Sequence, residues 1–201
     1  MSRRMINRVI ALFLFLSTIA TSATSQPTIS GQNLPRSQGF VSDFAGKLSP
    51  KIKQKLEAQL REFVARSNID LAVVILPFEE MHGRPIEEYS LELGRTWGVG
   101  RGPDKLGLLL LVAIQAPDTQ GLYHGATRLE VSRKLERDIP DELAGEIIRT
   151  MRNDFTIGRF DKAISEGVSL IISTLAKKRG IPGLKSERPS HRVSREAKKI
   201  G

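Results

Sequence analysis

Five charged side chains stand where they could act together on a negatively charged substrate. Arg101 and Asp104 precede an uncharged run, while Glu130, Glu136 and Asp138 accompany the next apolar segment. Calcium prefers oxygen ligands, and an arginine beside a bound cation can orient a phosphate ester for attack by water. We therefore predict a calcium site at Asp104, Glu130, Glu136 and Asp138, with Arg101 and Glu136 as catalytic side chains. The alternative is a solvated acidic rim, in which Asp138 caps the following helix.

Two predicted strands would bring these side chains to one edge of a sheet. Residues 107–114 are uniformly apolar but too few to span a bilayer, which predicts a central strand buried on both faces. Residues 128–132 alternate polar and apolar, as a strand with one buried face does. The segment between them has no helical pattern, so we expect antiparallel neighbours. The end of the second strand then lies beside the start of the first.

A glycine-rich loop, residues 98–102, precedes the central strand and offers a second candidate for chemistry. Its backbone amides could cradle a phosphate. It leads into a strand and not into a helix, so it is not a dinucleotide-binding fingerprint. The alternative interpretation is a tight backbone passage beside Trp97. His82 and His124, the histidines of the predicted domain, show no carboxylate or serine partner in the sequence.

The two ends of the chain differ from its middle in composition. Residues 1–25 carry three arginines, a short apolar core and small residues at a cleavage position, which predicts a secretory signal peptide and an exported protein, periplasmic or extracellular. Residues 177–201 hold nine Lys or Arg against two Glu, so we expect a disordered basic tail. The middle, residues 26–176, keeps a net charge of −1, which gives no reason to expect specific nucleic-acid binding. The chain has no cysteine, which excludes disulfides and thiolate chemistry.

Between a flexible linker at 26–39 and the tail, residues 40–176 predict one domain. Ser49-Pro50 begins an amphipathic helix, and residues 71–76 form a first core strand. A helix from about residue 85 to 97 connects that strand to the central one, which favours parallel strands with a right-handed crossover. Two more apolar periodicities, at 143–151 and 160–175, indicate further helices. The predicted fold class is α/β: a small mixed sheet with helices packed on it, as in a Rossmann-like α/β/α sandwich.

Several segments of this domain resemble the TPM domain family, which is named for a thylakoid lumen protein, a photosystem II repair protein and a nematode receptor accessory protein. The opening motif is Val41-Ser42-Asp43-Phe44-Ala45-Gly46-Lys47-Leu48-Ser49, in which Asp43 is the charged position. The most specific part is Trp97-Gly98-Val99-Gly100, followed by Gly107 and the leucine run. Further matches are 83–89, 129–131, 135–138 and 155–161. The chain departs from the family at Ser132 and Lys134, where glycine is usual.

The resemblance implies a fold more firmly than a reaction. Some family members look like acid phosphatases and some bind calcium, whereas others serve the assembly or repair of membrane complexes. We therefore expect a metal-assisted phosphatase that acts on phosphate esters, with calcium as the candidate metal. The alternative is a non-catalytic module for an envelope protein complex, whose basic tail contacts an anionic membrane or polymer surface.

Overall fold

The computed structural model of the protein describes residues 34–184, and its compact unit begins at Pro35. The predicted signal peptide, the linker up to residue 33 and tail residues 185–201 lie outside the described part of the chain. Four strands and four α-helices follow in the order β1 (Val41–Asp43), α1 (Pro50–Ser67), β2 (Asp70–Pro77), α2 (Ile86–Trp97), β3 (Gly107–Ile114), β4 (Gly125–Val131), α3 (Asp141–Thr156) and α4 (Phe160–Arg179). Short 3-10 helices lie at Phe78–Met81 and Arg133–Leu135.

The strands form one mixed sheet in the order β1-β2-β3-β4. β1, β2 and β3 are parallel, and β4 is antiparallel to β3. In this register Leu110 pairs with Val73 on one side and with Leu129 on the other. All eight residues of β3 are buried, which confirms the predicted central strand and its antiparallel neighbour. β4 begins at Gly125, three residues before the predicted start, and the three-residue strand β1 was not predicted as a strand.

The sheet buries both of its faces because alternate strand residues point to opposite sides. Val73, Ile75, Leu108 and Leu110 share one apolar cluster with residues of α1, α3 and α4. Alternate buried residues of β2 and β3 occupy the opposite face, where α2 contacts β3 and β4: Ala72, Val74, Leu76, Leu109, Leu111 and Ala113. The predicted α/β class with helices packed on a mixed sheet is confirmed.

The first helix begins and ends where its sequence predicts. The Ser49 hydroxyl accepts the amide of Ile52 at 3.4 Å, and Pro50 occupies the first turn, where its missing N–H leaves no bond unmade. Asn68 takes the left-handed conformation, with φ of 55°, and ends the helix. Its apolar stripe buries Leu56, Leu60 and Phe63. Each such side chain contributes roughly 1.5–3 kcal/mol before the cost of chain entropy.

The folded region extends past both predicted boundaries. At the start, the Trp97 indole N–H donates to the carbonyl of Pro35 at 2.8 Å, so the last residues of the predicted linker contact the domain. At the end, α4 continues to Arg179, three residues beyond the predicted boundary at Ala176. Residues 177–179 of the predicted tail are therefore helical. Between residues 34 and 184, no helix is long and apolar enough to cross a membrane.

Candidate functional site

The predicted calcium ligands do not share a site, and those with hydrogen bonds have different partners. Glu130, on β4, accepts from Ser90 of α2 at 3.3 Å and from Arg128 at 3.2 Å. Asp138 accepts from Arg179 Nε at 2.6 Å. Its carboxylate is therefore already occupied by a cation of the protein.

The remaining predicted residues of this site are also separate. Asp104 accepts from the Asn68 side-chain amide at 2.8 Å, whereas Glu136 is exposed after the Arg133–Leu135 turn. Arg101 donates to the carbonyl of Arg95 at 2.8 Å. Within residues 34–184, no group of three or more His, Asp or Glu side chains could hold a metal ion. The hairpin does bring Asp104 and the 133–138 turn to one edge, but it does not gather the four carboxylates into one cluster.

That edge instead carries a groove with an excess of positive charge. It is a shallow depression of about 640 Å³, here called the basic groove, lined by Ser67, Asp104, Leu106, Arg133, Lys134, Arg137 and Arg179. Four of these side chains are cationic and one is anionic. The side chains of Arg133, Lys134 and Arg137 make no hydrogen bond or ion pair with any residue in the described range. Their charges are therefore available to an anion.

Local structure explains why these cations converge. The 3-10 helix after β4 turns the chain so that Arg133, Lys134 and Arg137 stand at the start of β3. The last turn of α4 arrives beside them, where Arg179 bonds both Asp138 and the carbonyl of Lys134. The sequence signal for this groove is the basic spacing at 133, 134 and 137, whereas the predicted site residues were mainly the acidic side chains near it.

The glycines of the loop at residues 98–102 allow the backbone to turn tightly and to approach Gly107. Gly98 ends α2 in the left-handed conformation, with φ of 76°. The amide of Gly100, which also has positive φ, donates to the Asp70 carboxylate at 2.8 Å. Gly107 lies so close that a Cβ on it would fall 2.6 Å from the Gly100 nitrogen. The amide that could have cradled a phosphate already has a partner, so the loop fits the alternative interpretation beside Trp97.

Asp43 closes the loop after β1 at the opposite side of the sheet from β4. Its Oδ2 accepts the amide of Leu48 at 2.8 Å, as an acidic side chain that stabilises a turn does. Its Oδ1 is buried and has no hydrogen-bond partner among the described residues. Asp43 does not line the basic groove.

A second cavity lies at the far end of β3, where the sequence indicated no site. It has a volume of about 440 Å³, and its lining residues are Val112, Ala113, Ile114, Tyr123, His124, Gly125, Ala126, Thr127, Ile148, Arg152, Phe155, Thr156 and Phe160. At its rim, His124 Nε2 lies 2.9 Å from Asp118 Oδ2. The sequence showed no evident partner for His124. The turn at 115–124 supplies one, because it folds Asp118 back onto the histidine. This hydrogen bond, followed by one from the Leu122 amide, lowers the pKa of Asp118 below its ordinary value of 3.8.

Comparisons with known proteins agree with the motifs and the fold. A family model described as TPM domain, TPM_phosphatase, matches residues 41–174. The NMR structure of the N-terminal domain of a P. gingivalis protein is similar, with a TM-score of 0.57 and 31% identity over 69% of this chain and 83% of that chain. The N-terminal domain of a Corynebacterium glutamicum protein has a TM-score of 0.47 and 15% identity, over 80% and 94% of the two chains. None of the curated proteins matches. Since the family model spans most of the described domain, this chain belongs to the TPM domain family.

Proposed function

We propose that the domain binds phosphate esters in the basic groove and hydrolyses them there. The observation that carries the proposal is the convergence of Arg133, Lys134, Arg137 and Arg179 around one carboxylate, Asp104. Guanidinium groups match the geometry of phosphate oxygens through paired N–H donors, and three of these four cations have no partner inside the described domain. The family name, TPM_phosphatase, supports a phosphate-containing substrate.

Two kinds of side chain in the groove would support such a hydrolysis. The arginines would stabilise the negative charge that spreads over the phosphoryl oxygens as the reaction proceeds. Asp104, held by Asn68 at 2.8 Å, would accept a proton from the attacking water. The bond from the water oxygen to phosphorus forms, the ester P–O bond breaks, and the leaving alkoxide takes a proton from solvent.

The groove does not provide a complete calcium site. Among residues 34–184, Asp104 is the only carboxylate that lines it, and Asp138 is already bonded to Arg179. The proposed chemistry therefore rests on the protein's own cations. Calcium dependence stays a prediction, which the assay below tests by addition and chelation.

A second candidate function is non-catalytic attachment to an anionic surface or an envelope protein complex. The observation in its favour is that α4 ends inside the basic groove, so the groove is followed directly in sequence by residues 180–201. Residues 185–201 add six Lys or Arg against two Glu. The groove and this segment together would offer far more positive charge than either alone.

Two measurements on the purified protein separate these functions. Phosphate release from a generic aryl ester is followed with calcium and with a chelator, and the affinity for inorganic phosphate is measured alongside. Replacing Arg133 and Arg137 together by Gln should weaken phosphate binding and abolish turnover. Asp104→Asn should abolish turnover but keep binding.

Two variants serve as controls for phosphate binding and turnover. Arg149→Gln, at an exposed position of α3 that lines neither cavity, and Glu136→Ala should change nothing. Binding without turnover in the unmodified protein favours the attachment function. Phosphate affinity and turnover that survive the double substitution would remove the groove from both functions. A loss of turnover in Glu136→Ala would support the catalytic role predicted for Glu136 from the sequence.

We also propose that the protein is exported, which an envelope function requires. The charged start, short apolar core and small residues of positions 1–25 support this proposal. Sequencing the amino terminus of protein recovered from the periplasm or medium tests it. A mature chain that begins near Gln26 is expected, and protein confined to the cytoplasm with Met1 intact would contradict export.

A further inference from the structure

The cavity at the carboxyl end of β3, here called the distal pocket, is suited to a small ligand. Its volume of about 440 Å³ lies within the range of small-molecule sites. The apolar residues Val112 and Ile114 line it from β3, and Ile148 and Phe155 line it from α3. It lies at the other end of β3 from the basic groove and shares no lining residue with it.

The aromatic wall of the distal pocket is fixed by its own contacts. The backbone amide of Tyr123 donates to the carbonyl of Thr156 at 2.9 Å, which ties the turn at 115–124 to the end of α3. The Tyr123 ring meets the Phe160 ring edge to face, with 4.9 Å between centroids. Lys47 Nζ lies 4.8 Å from the centroid of the Tyr123 ring. A wall held on several sides needs little reorganisation to receive a flat ligand.

The polar groups that line the pocket include one cation, Arg152, that is unpaired within residues 34–184. Arg152 is exposed, and its side chain has no hydrogen-bond or ion-pair partner among the described residues. The cations near it on the chain differ, because Arg159 and Lys162 both pair with Asp154. The Thr127 hydroxyl also lines the pocket without a partner in the described structure. Asp118, the nearby acid, is already engaged by His124.

We propose that the distal pocket binds a small molecule that joins an aromatic ring to a phosphate or carboxylate group. The ring would lie against Phe155, Phe160 and Tyr123, and the anionic group would reach Arg152. An inorganic anion would gain only the contact with Arg152, and an uncharged ring would leave that guanidinium without a partner. The combination of ring and charge is therefore what the pocket recognises.

Nuclear magnetic resonance and calorimetry on the purified protein test this site with four probes. Phenyl phosphate and benzoate distinguish the two anionic groups, while inorganic phosphate and benzyl alcohol each lack one half of the ligand. Phenyl phosphate or benzoate should shift the signals of the Tyr123 and Phe160 rings. Inorganic phosphate and benzyl alcohol should do so weakly or not at all.

Matched variants identify the groups responsible. Arg152→Gln should weaken binding of the ring-bearing anion about 10- to 100-fold, the usual effect of losing a hydrogen bond to a charged group. Thr127→Val should weaken it by a smaller factor. Arg149→Gln, three residues earlier on α3, should leave binding unchanged. Replacing Arg133 and Arg137 by Gln should weaken phosphate binding in the basic groove but leave the shifts of the Tyr123 and Phe160 signals unchanged, which separates a failure here from a failure of the basic groove.

Two results would overturn the proposal. One is that no ring-bearing anion shifts the Tyr123 or Phe160 signals. The other is that the Tyr123 and Phe160 signals of Arg152→Gln respond to these probes at the same concentrations as those of the unmodified protein. A response to benzoate but not to phenyl phosphate would support the site and assign it to carboxylates, and the reverse would assign it to phosphates.

Discussion

Arg179 Nε lies 2.6 Å from Asp138 Oδ2, across 41 residues of sequence. The two side chains are 31% and 18% exposed, so the pair is partly withdrawn from water. It joins the last turn of α4 to the turn after β4, and it brings Arg179 to the rim of the basic groove. The same contact turns a predicted calcium ligand into one half of an ion pair.

This pair should stabilise the fold measurably. In a double-mutant cycle with Asp138→Ala and Arg179→Ala, we expect a coupling free energy of about 1 kcal/mol, because both groups are partly buried and the hydrogen bond is charge-assisted. Urea unfolding of the four proteins gives the value. The same cycle on the exposed pair of Glu62 and Arg66 in α1 should give about 0.3 kcal/mol. Additive effects at Asp138 and Arg179 would contradict the expected coupling.

The hairpin and its edge could be predicted from the sequence, but the charge of that edge could not. Apolar run lengths and alternation are local signals, and they located β3 and β4 correctly. Which charged side chains face the groove depends on the 3-10 turn at Arg133–Leu135 and on the arrival of α4, 41 residues after Asp138. Neither relationship is visible in a window of neighbouring residues. The prediction therefore identified the edge but not the basic side chains that line its groove.

The end of α4 illustrates a signal that was present and underweighted. Lys177, Lys178 and Arg179 stand in its last turn, where positive charge interacts favourably with the helix dipole. Gly180, in the left-handed conformation, is a typical helix end. We interpreted the same residues as the start of a disordered tail because of their charge. The helix-ending residues therefore mark this boundary better than the composition does.

Asp118 should titrate below its ordinary pKa of 3.8, mainly because the His124 side chain hydrogen bonds to it. A carboxyl pKa that is lowered in the folded state stabilises the fold above the unfolded pKa, and this stabilisation is lost as pH falls through the folded value. His124→Ala should raise the pKa of Asp118 without restoring it fully, since the amides of Leu122 and Gln120 still donate. Carboxyl carbon chemical shifts measure this change. His82→Asn is the control, and an unchanged Asp118 pKa in His124→Ala would contradict the contact.

Removal of the Tyr89 hydroxyl, on α2, should stabilise the protein. The residue is 2% exposed, and its hydroxyl has no hydrogen-bond partner within the described residues. Burial, followed by the charge of Glu80, raises the pKa of Tyr89 to about 12. Because a buried unpaired hydroxyl is costly, Tyr89→Phe should raise the free energy of unfolding by about 1 kcal/mol.

A pH series gives Tyr89 a second test. A tyrosine whose folded pKa is raised contributes stability below its unfolded pKa of 10.0, and that contribution is lost as pH rises through the folded value. The Tyr89→Phe protein should therefore lose less stability than the unmodified protein as pH rises above 10.0. Tyr123→Phe, at a partly exposed position, should change stability by less than about 0.5 kcal/mol. A clear loss of stability in Tyr89→Phe would show that its hydroxyl has a partner.

Gly107 should not tolerate a side chain. A Cβ there would lie 2.6 Å from the nitrogen and 2.7 Å from the Cα of Gly100, and backbone atoms cannot move aside as a flexible side chain can. We expect Gly107→Ala to lower the free energy of unfolding by about 3 kcal/mol. Gly102→Ala is the matched control in the same loop, because a Cβ there meets nothing within 4 Å. Equal stability of the two variants in urea unfolding would show that the loop gives way.

The last prediction concerns attachment to anionic surfaces. Residues 185–201 carry six Lys or Arg against two Glu, and they follow a helix that ends in the basic groove. Each basic residue near an anionic membrane contributes on the order of 1 kcal/mol, and salt weakens this attraction by shortening the Debye length. The full protein should therefore sediment with anionic vesicles at low salt and be released at high salt, and neutral vesicles should not retain it.

A chain that ends at Leu184 keeps all of α4 and should bind anionic vesicles much more weakly. The Arg133→Gln and Arg137→Gln substitutions should weaken the binding that remains. Equal binding by the chain that ends at Leu184 and by the full protein would show that residues 185–201 make no contact with the surface.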